Sequence, residues 1–324
     1  MTRHQFVLHG LTLACDRVLP GLPPSVESGL PEATIHLCPA APWQGANPPP
    51  VAELISRVRF ADGALVRSLE RVTAGTQVWL VLRFQWDLVL AFTEDGRAVY
   101  VFGALAEDLS YVASFAMGPL VSFLRWLRGW PSLHASAVEI GGRVLALAGP
   151  SGAGKSTTTA ALALAGHPQF TDDLLGWRST EEWLLACPGP VGVKLCPDSL
   201  AAMGFNPEHL PTVQTNLNKR RLQLPVAAHH TELPLGAVYL LSQGMEAPPG
   251  AIRELHGLAA FTALKANCRD DSVLTPVMRQ RQFEALAELA RRIPVLQVKA
   301  HAGLDRLPEL AATLAEDFRR RQVA

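Results

Sequence analysis

The stretch Arg143-Val144-Leu145-Ala146-Leu147-Ala148-Gly149-Pro150-Ser151-Gly152-Ala153-Gly154-Lys155-Ser156-Thr157-Thr158-Thr159-Ala160 decides how this chain is read. Its first six residues form a short apolar run of strand character. From Gly149 to Ser156 they give way to the pattern G-x-x-x-x-G-K-S. An Ala- and Thr-rich segment follows to about Ala165, and Gly166 stands where a helix C-cap belongs. Strand, glycine-rich loop and helix together are the context in which this pattern binds phosphate. Its glycines let successive backbone N–H groups turn inward, and the helix adds the positive end of its dipole. The expected nucleotide contacts are Gly149, Ser151, Gly152, Ala153, Gly154, Lys155, Ser156 and Thr157. Lys155 reaches the β- and γ-phosphates, and the Ser156 hydroxyl ligates the metal. The sequence therefore predicts an α/β fold with a P-loop nucleotide-binding core, and ATP with Mg²⁺ as its cofactors.

Working outward, His134–Ile140 and Arg143–Ala148 read as two strands joined tightly at Gly141-Gly142. After the helix comes a strand-like run, Gln169–Trp177, carrying Thr171-Asp172-Asp173. The acidic pair lies seventeen residues beyond Lys155. A strand returning beside the loop brings at least one carboxylate to the terminal phosphate. Phosphoryl transfer needs a held metal and a group that positions the attacking oxygen, and adjacent carboxylates can divide those tasks. A solvated Asp-Asp turn is the competing reading. His134 precedes Gly149 by fifteen residues, and spacing alone leaves it unassigned. Further on, Leu235–Ser242 and Val295–Val298 read as strands, and Phe283–Arg292 and Leu307–Arg320 as helices. Arg279 and Arg281 fall in a mobile-looking stretch after Pro276.

The first part of the chain has a different grammar. Leu19–Pro50 is rich in Pro and Gly and reads as loops linking short strands. Val78–Phe84, Leu88–Thr93 and Ala98–Phe102 are strand-like, and Asp95-Gly96 between the last two signals a type I′ hairpin. A small β-rich N-terminal domain over 1–107, a helical connector over 108–130 and a P-loop domain over 131–324 are expected. Phe6–Cys15 is apolar but holds His9 and lacks a cleavage pattern, so no secretory signal is read there. Leu109–Leu127 is apolar too. Gly118-Pro119 interrupts it and Arg125 sits inside it, so two buried helices meeting at Pro119 are expected rather than a membrane span.

Lys plus Arg and Asp plus Glu number 29 each, a formal net charge of zero. That balance lacks the basic footprint of a general nucleic-acid binder. The five cysteines are scattered without a C-x-x-C pair, which favours free thiols and a reducing, cytoplasmic setting over disulfides or zinc.

Four elements then fall at matched intervals: Leu133-His134-Ala135-Ser136-Ala137-Val138, the glycine loop, Gly166-His167, and Thr171-Asp172-Asp173. Over about fifty residues they resemble the catalytic core of the HPr kinase/phosphorylase family. The resemblance implies Asp172 as the base accepting a serine proton, Asp173 as a Mg²⁺ holder, and His134 as the residue that orients or tunes them. The N-terminal region does not resemble the regulatory domain of the bacterial carbohydrate-control enzymes. The later signature that accompanies phosphorylase activity is not recognisable either. Pro188-Gly189-Pro190, Lys194-Leu195-Cys196-Pro197-Asp198, Asn218-Lys219-Arg220-Arg221 and His9-Gly10-Leu11-Thr12-Leu13 resemble instead a divergent branch. Its members include kinases of ribosomally made peptides, notably those phosphorylating the terminal serine of lasso-peptide precursors.

That likeness implies a peptide or small-protein substrate and Lys219 as a nucleotide contact, while the charge balance and the interrupted apolar stretch already argue against nucleic-acid and membrane partners. Lys219, Arg220 and Arg221 form a basic cluster suited either to the triphosphate or acceptor, or to plain solvation. Hexamers are usual among the family's regulatory enzymes, and a homo-oligomer stays open for this chain. Two other function classes compete. One is a nucleotide-sensing module, the other a kinase or nucleotidyl transferase of a small metabolite.

Overall fold

A computed structural model describes residues 4–22, 24, 29–85, 87–214, 217–225, 231–242, 247–268, 271–300 and 303–323. The fold is mixed α/β and gathers into two units. One comprises residues 1–130 with 270–282, the other 131–269 with 283–324.

The first unit is built on one eight-stranded sheet. Its strands are β1 (His4–Leu8), β2 (Leu11–Cys15), β3 (Ala33–Leu37), β4 (Val51–Arg59), β5 (Leu65–Ala74), β6 (Gln77–Phe84), β7 (Leu88–Thr93) and β8 (Ala98–Phe102). Their order is β1-β2-β3-β8-β7-β6-β5-β4. Alternate residues of β5 to β8 turn inward, so Val72, Trp79, Val81, Val89, Ala91 and Phe102 share one core. The apolar stretch Phe6–Cys15 is a hairpin, turned at His9 and Gly10 with φ of 50° and 76°. Asp95-Gly96 does join two paired strands, but not through a type I′ turn. That turn needs positive φ at both central residues, and of the two only Gly96 has it, at 66°. Asp95 keeps a φ that is not positive, and its carboxylate accepts from Thr93 Oγ1 at 2.6 Å and from the Arg97 amide at 3.0 Å.

The Leu109–Leu127 segment also differs from expectation. Helices α1 (Leu109–Phe115) and α2 (Val121–Leu127) run on through one wider π turn, Ala116–Leu120, which contains Pro119. In a regular helix the proline ring collides with the carbonyl four residues back, and the wider turn relieves that collision. Asp108 caps α1, accepting from the amides of Ser110 and Tyr111. Among the described residues no helix is long and apolar enough to cross a membrane.

A linear division at residue 131 misses the return of the chain to this unit. Arg67 Nη2 donates to Ser272 Oγ at 3.0 Å, and Arg281 Nη1 to the Leu127 carbonyl at 3.1 Å. Val273, Leu274 and Met278 are buried. Arg279 and Arg281 lie on a helix, because Pro276 opens it rather than ending regular structure.

In the second unit come β9 (Ser132–Leu133), β10 (Ala135–Ile140), β11 (Arg143–Ala148), α3 (Lys155–Leu164), β12 (Gln169–Thr171), β13 (Leu175–Ser179), β14 (Leu184–Cys187), β15 (Val193–Leu195), α4 (Pro197–Ala202), β16 (Thr212–Gln214) and β17 (Leu217–Leu222). They are followed by β18 (Leu233–Ser242), β19 (Ile252–Leu255), α5 (Gly257–Lys265), α6 (Pro276–Arg292, of which the part from Phe283 belongs to this unit), β20 (Val295–Lys299) and α7 (Leu307–Val323). A nine-stranded sheet runs β12-β10-β11-β18-β14-β13-β9, with β20 beside β18 and β19 beyond it. A small sheet, β15-β17-β16, stands apart.

Strand β18 runs parallel to both β11 and β20, so the middle of the sheet is covered on both faces. The residues of β11 divide between the faces. Val144, Ala146 and Ala148 pack with Leu264 of α5 and Leu286 and Leu289 of α6. Leu145 and Leu147 pack with Leu162 of α3 and with Leu310, Leu314 and Phe318 of α7. Gly141 and Gly142, at φ of 60° and 76°, turn β10 into β11 as the sequence predicts. The run Gln169–Trp177 is not one strand, however. It breaks at Asp172-Asp173, and β12 pairs with β10 whereas β13 pairs with β14 and β9. Asp173 takes a left-handed backbone, φ 71°, and Thr171 Oγ1 donates across the corner to the Leu174 carbonyl at 2.7 Å.

Candidate functional site

Strand β11 delivers the chain at Ala148 into the glycine loop, and the loop delivers it into α3. Gly149, at φ 145°, lies so close to β18 that an added Cβ would stand 2.7 Å from the Leu241 carbonyl oxygen. Gly154 closes the loop at φ 92° in the N-cap position of α3. Neither conformation suits an L side chain. Internal bonds from the Ala153 amide to Pro150 O, 3.1 Å, and from the Thr158 amide to Gly154 O, 2.8 Å, hold the loop round. Lys155 opens the helix and is 7% exposed, its ammonium donating to Gly149 O at 2.8 Å and Pro150 O at 3.1 Å. The loop therefore offers a cation and a helix N-terminus, which together attract phosphate. Ser151 and Gly152 lie at the exposed tip. The Thr157 hydroxyl faces α4, 3.4 Å from Ser199 Oγ. At its far end α3 stops as the sequence predicts. Gly166 is left-handed, and His167 N donates to Leu162 O and Gly166 N to Ala163 O.

Asp172, only 5% exposed, is where three elements meet. Its Oδ1 accepts from Ser156 Oγ of α3 at 2.7 Å and from Ser136 Oγ of β10 at 2.8 Å. Its Oδ2 accepts from the Lys194 amide of β15 at 3.1 Å. Sheet register explains the Ser136 contact. Ala137 pairs with Thr171, which sets Ser136 opposite Asp172.

Asp173 turns the other way. Its carbonyl lies 2.8 Å from His134 Nδ1, and since a carbonyl only accepts, that bond puts the ring proton on Nδ1. Its carboxylate lies 3.4 Å from the same nitrogen and 3.5 Å from Lys194 Nζ. The His134 amide donates to Asn267 O at 2.8 Å, just past α5, and this anchors the imidazole's backbone. The acidic doublet thus has two faces. One is buried and bonded to hydroxyls, the other half-buried beside an imidazole and an ammonium.

The structure brings together Lys155, Ser156, Asp172, Asp173 and His134. It does not join Ser156 to Asp173, the pairing expected for the metal, because the left-handed turn at Asp173 sends its side chain toward His134. Lys219, expected as a nucleotide contact, is exposed on β17. Arg220 is tied to structure, donating to the Pro207 carbonyl at 3.2 Å. Arg221 is the member of that cluster nearest the acidic corner. It pairs in register with Lys194, and burial pulls its guanidinium below the ordinary value while the Asp172 carboxylate opposes that pull.

Sequence reasoning assigns no role to Ser136 or Lys194, and within the basic cluster it favours Lys219 over Arg221. Ser136 carried a signal, since it lies two residues from His134 in the run read as a strand, although the structure places His134 in a bend just before β10. Lys194 carried none, and the choice of Arg221 within its cluster depends on the β15–β17 register, which pairs it with Lys194.

A hydroxyl and a carboxylate within bonding distance at the mouth of a phosphate loop form the oxygen donor set that Mg²⁺ takes. It binds such groups while keeping phosphate oxygens and water. Ser156 and Asp172 therefore fit the metal, and the glycine cradle, which a Cβ at Gly149 would disrupt, fits a polyphosphate.

No family model matches the sequence, and no curated protein matches it. Among solved structures the chain is similar to the HPr(Ser) kinase/phosphatase from Coxiella burnetii, at 15% identity and a TM-score of 0.35. The match covers 60% of this chain and 99% of that one. At that TM-score the likeness carries no weight for function, which is read from the side chains.

Proposed function

We propose that this chain is an ATP-dependent kinase that transfers the γ-phosphoryl group to a serine hydroxyl of a peptide or small protein. The observation that carries the reading is the acidic doublet beside the glycine loop. One of its carboxylates meets the loop's own serine, and the other meets an imidazole and an ammonium.

In this reading Lys155 leaves its loop carbonyls to grip the β- and γ-phosphate oxygens. Ser156 and Asp172 hold Mg²⁺, which when bound neutralises charge on those oxygens. Asp172 already accepts from three donors on the metal side, which leaves the acceptor side to the other carboxylate. Asp173 takes the base's role, the reverse of the division expected from sequence. The serine Oγ attacks Pγ, its proton passes to Asp173, the bond from Pγ to the β-phosphate oxygen breaks, and ADP leaves. His134 orients the Asp173 carboxylate, and Lys194 offsets negative charge on the acceptor side. A peptide acceptor, and a lasso-peptide precursor in particular, rests on the likeness of the sequence motifs. A cytoplasmic setting rests on the scattered cysteines.

The test is incubation with ATP, Mg²⁺ and a panel of serine-ended peptides, with mass spectrometry for a gain of one phosphate. Lys155→Ala serves as the control that loses nucleotide binding. Phosphate on a free metabolite and on no peptide overturns the substrate class. ATP bound but never transferred to any acceptor leaves the sensing reading in its place.

A further inference from the structure

The row of β10 residues on the α3 side reads Ser136, Val138, Ile140, and only the first is polar. Val138 and Ile140 are part of the core on that face, and Ser136 is itself 0% exposed. A hydroxyl is kept in such a place at a cost unless it is bonded. Here it has one bond, 2.8 Å, to Asp172 Oδ1. That same oxygen accepts from Ser156 Oγ at 2.7 Å, so the carboxylate is held by two hydroxyls of unequal freedom. Ser156 lies in the first turn of α3, at the phosphate loop, and its oxygen is a metal donor in the reading above. Ser136 is the second residue of β10, paired with Leu147 on one side and bonded through its hydroxyl to Asp172 on the other.

We infer that Ser136 is a positioning residue, holding the Asp172 carboxylate in its metal-facing orientation when the Ser156 hydroxyl gives up its bond to that carboxylate. This rests on the kinase reading and on Asp172 standing on the metal side. Once Ser156 turns its oxygen to a cation, Asp172 keeps Ser136 on Oδ1 and the Lys194 amide on Oδ2. The carboxylate stays ordered, with lone pairs of both oxygens still available. Without Ser136 one donor remains, and the group is left to rotate about its bond to Cβ. Partners of this outer kind govern metal affinity rather than nucleotide affinity.

The experiment is calorimetric titration of the full chain with ADP, once in EDTA and once across a Mg²⁺ series. The variants are Ser136→Ala and the equal-shaped pair Ser136→Thr and Ser136→Val. The expected result for Ala and Val is an ADP affinity in EDTA equal to wild type and a Mg²⁺ requirement raised about tenfold or more. Thr, which keeps the hydroxyl, stays near wild type. A Mg²⁺ requirement unchanged in Ala and Val overturns the inference, and so does equal loss in Thr and Val. A wild-type chain whose ADP binding ignores Mg²⁺ overturns the underlying kinase reading instead.

Discussion

The two units bury polar groups differently. In the first, the buried polar residues are His9, Ser68, Ser122, Arg125 and Gln282. Those bonds serve the fold. Arg125 Nη1 donates to the His9 carbonyl at the β1–β2 turn, and Ser68 Oγ donates to Glu70 two residues away. In the second unit the described buried polar residues are Ser132, Ser136, Lys155, Thr158, Thr159, Gln169, Thr171 and Asp172, and of these Ser136, Lys155 and Asp172 lie on or beside the segments that meet at the glycine loop. A carboxylate from each unit makes the contrast plain. Asp95 is exposed and takes its donors from within two residues. Asp172 is buried and takes its donors from segments 16, 22 and 36 residues away. Local bonds shape a turn. Bonds gathered from three elements hold a group where a reaction can use it, and their cost in desolvation is what separates the two.

The sharpest break of this comparison is a pair of charge removals. Asp173→Asn should lower the rate of phosphoryl transfer by about a thousandfold while ATP affinity stays level, since losing a proton acceptor is worth 10²–10⁴-fold. Glu70→Gln in the first unit removes a half-buried pairing with Arg83, 2.9 Å, and should leave transfer unchanged. Transfer kinetics with a phosphorylated-peptide readout decide it, and equal rates in Asp173→Asn and wild type would refute the base assignment.

Two alanine substitutions come next. Gly149→Ala meets both a left-sided φ and the Leu241 carbonyl, and should cost about 3 kcal/mol of stability. Gly45→Ala, at φ 79° with open space around it, should cost only about 1 kcal/mol. Chemical denaturation of both variants measures the difference, and similar midpoints would mean the loop tolerates a side chain.

The smallest effect concerns Asp95. The Thr93 hydroxyl first, and the Arg97 amide second, hold its carboxylate below the ordinary value of 3.8. A depressed folded value means the stabilisation is present above 3.8 and fades as pH falls through the folded value. Asp95→Asn should therefore trail wild type slightly at neutral pH, with the gap closing under acid. Thermal melts across pH would show a constant gap if the carboxylate's charge plays no part.

Legibility followed the range of the interactions. The glycine loop could be read because its spacing encodes backbone angles directly. Residues Gly149 and Gly154 have no other way to adopt φ of 145° and 92°. The Gly141-Gly142 hairpin and the C-cap at Gly166 were readable for the same reason. The corner at Asp173 was not, since the flanking residues Gln169–Thr171 and Leu175–Ser179 both favour strands and only their separate partners reveal the break. Lys219 and Arg221 look alike in sequence. Only the register of β17 against β15 sets Arg221 beside Lys194 and leaves Lys219 exposed. The π turn at Pro119 was hidden likewise, because a proline signals an interruption without saying whether the helix ends or widens.

The Arg67 to Ser272 bond has a practical corollary for anyone dissecting this gene. A polypeptide ending at residue 130 leaves that guanidinium without Ser272 and leaves Arg281 absent from the Leu127 carbonyl. A polypeptide beginning at 131 carries the orphaned stretch 270–282 with its buried Val273, Leu274 and Met278 uncovered. Neither half is a natural cut, and truncation phenotypes will mix loss of one unit with damage to the other.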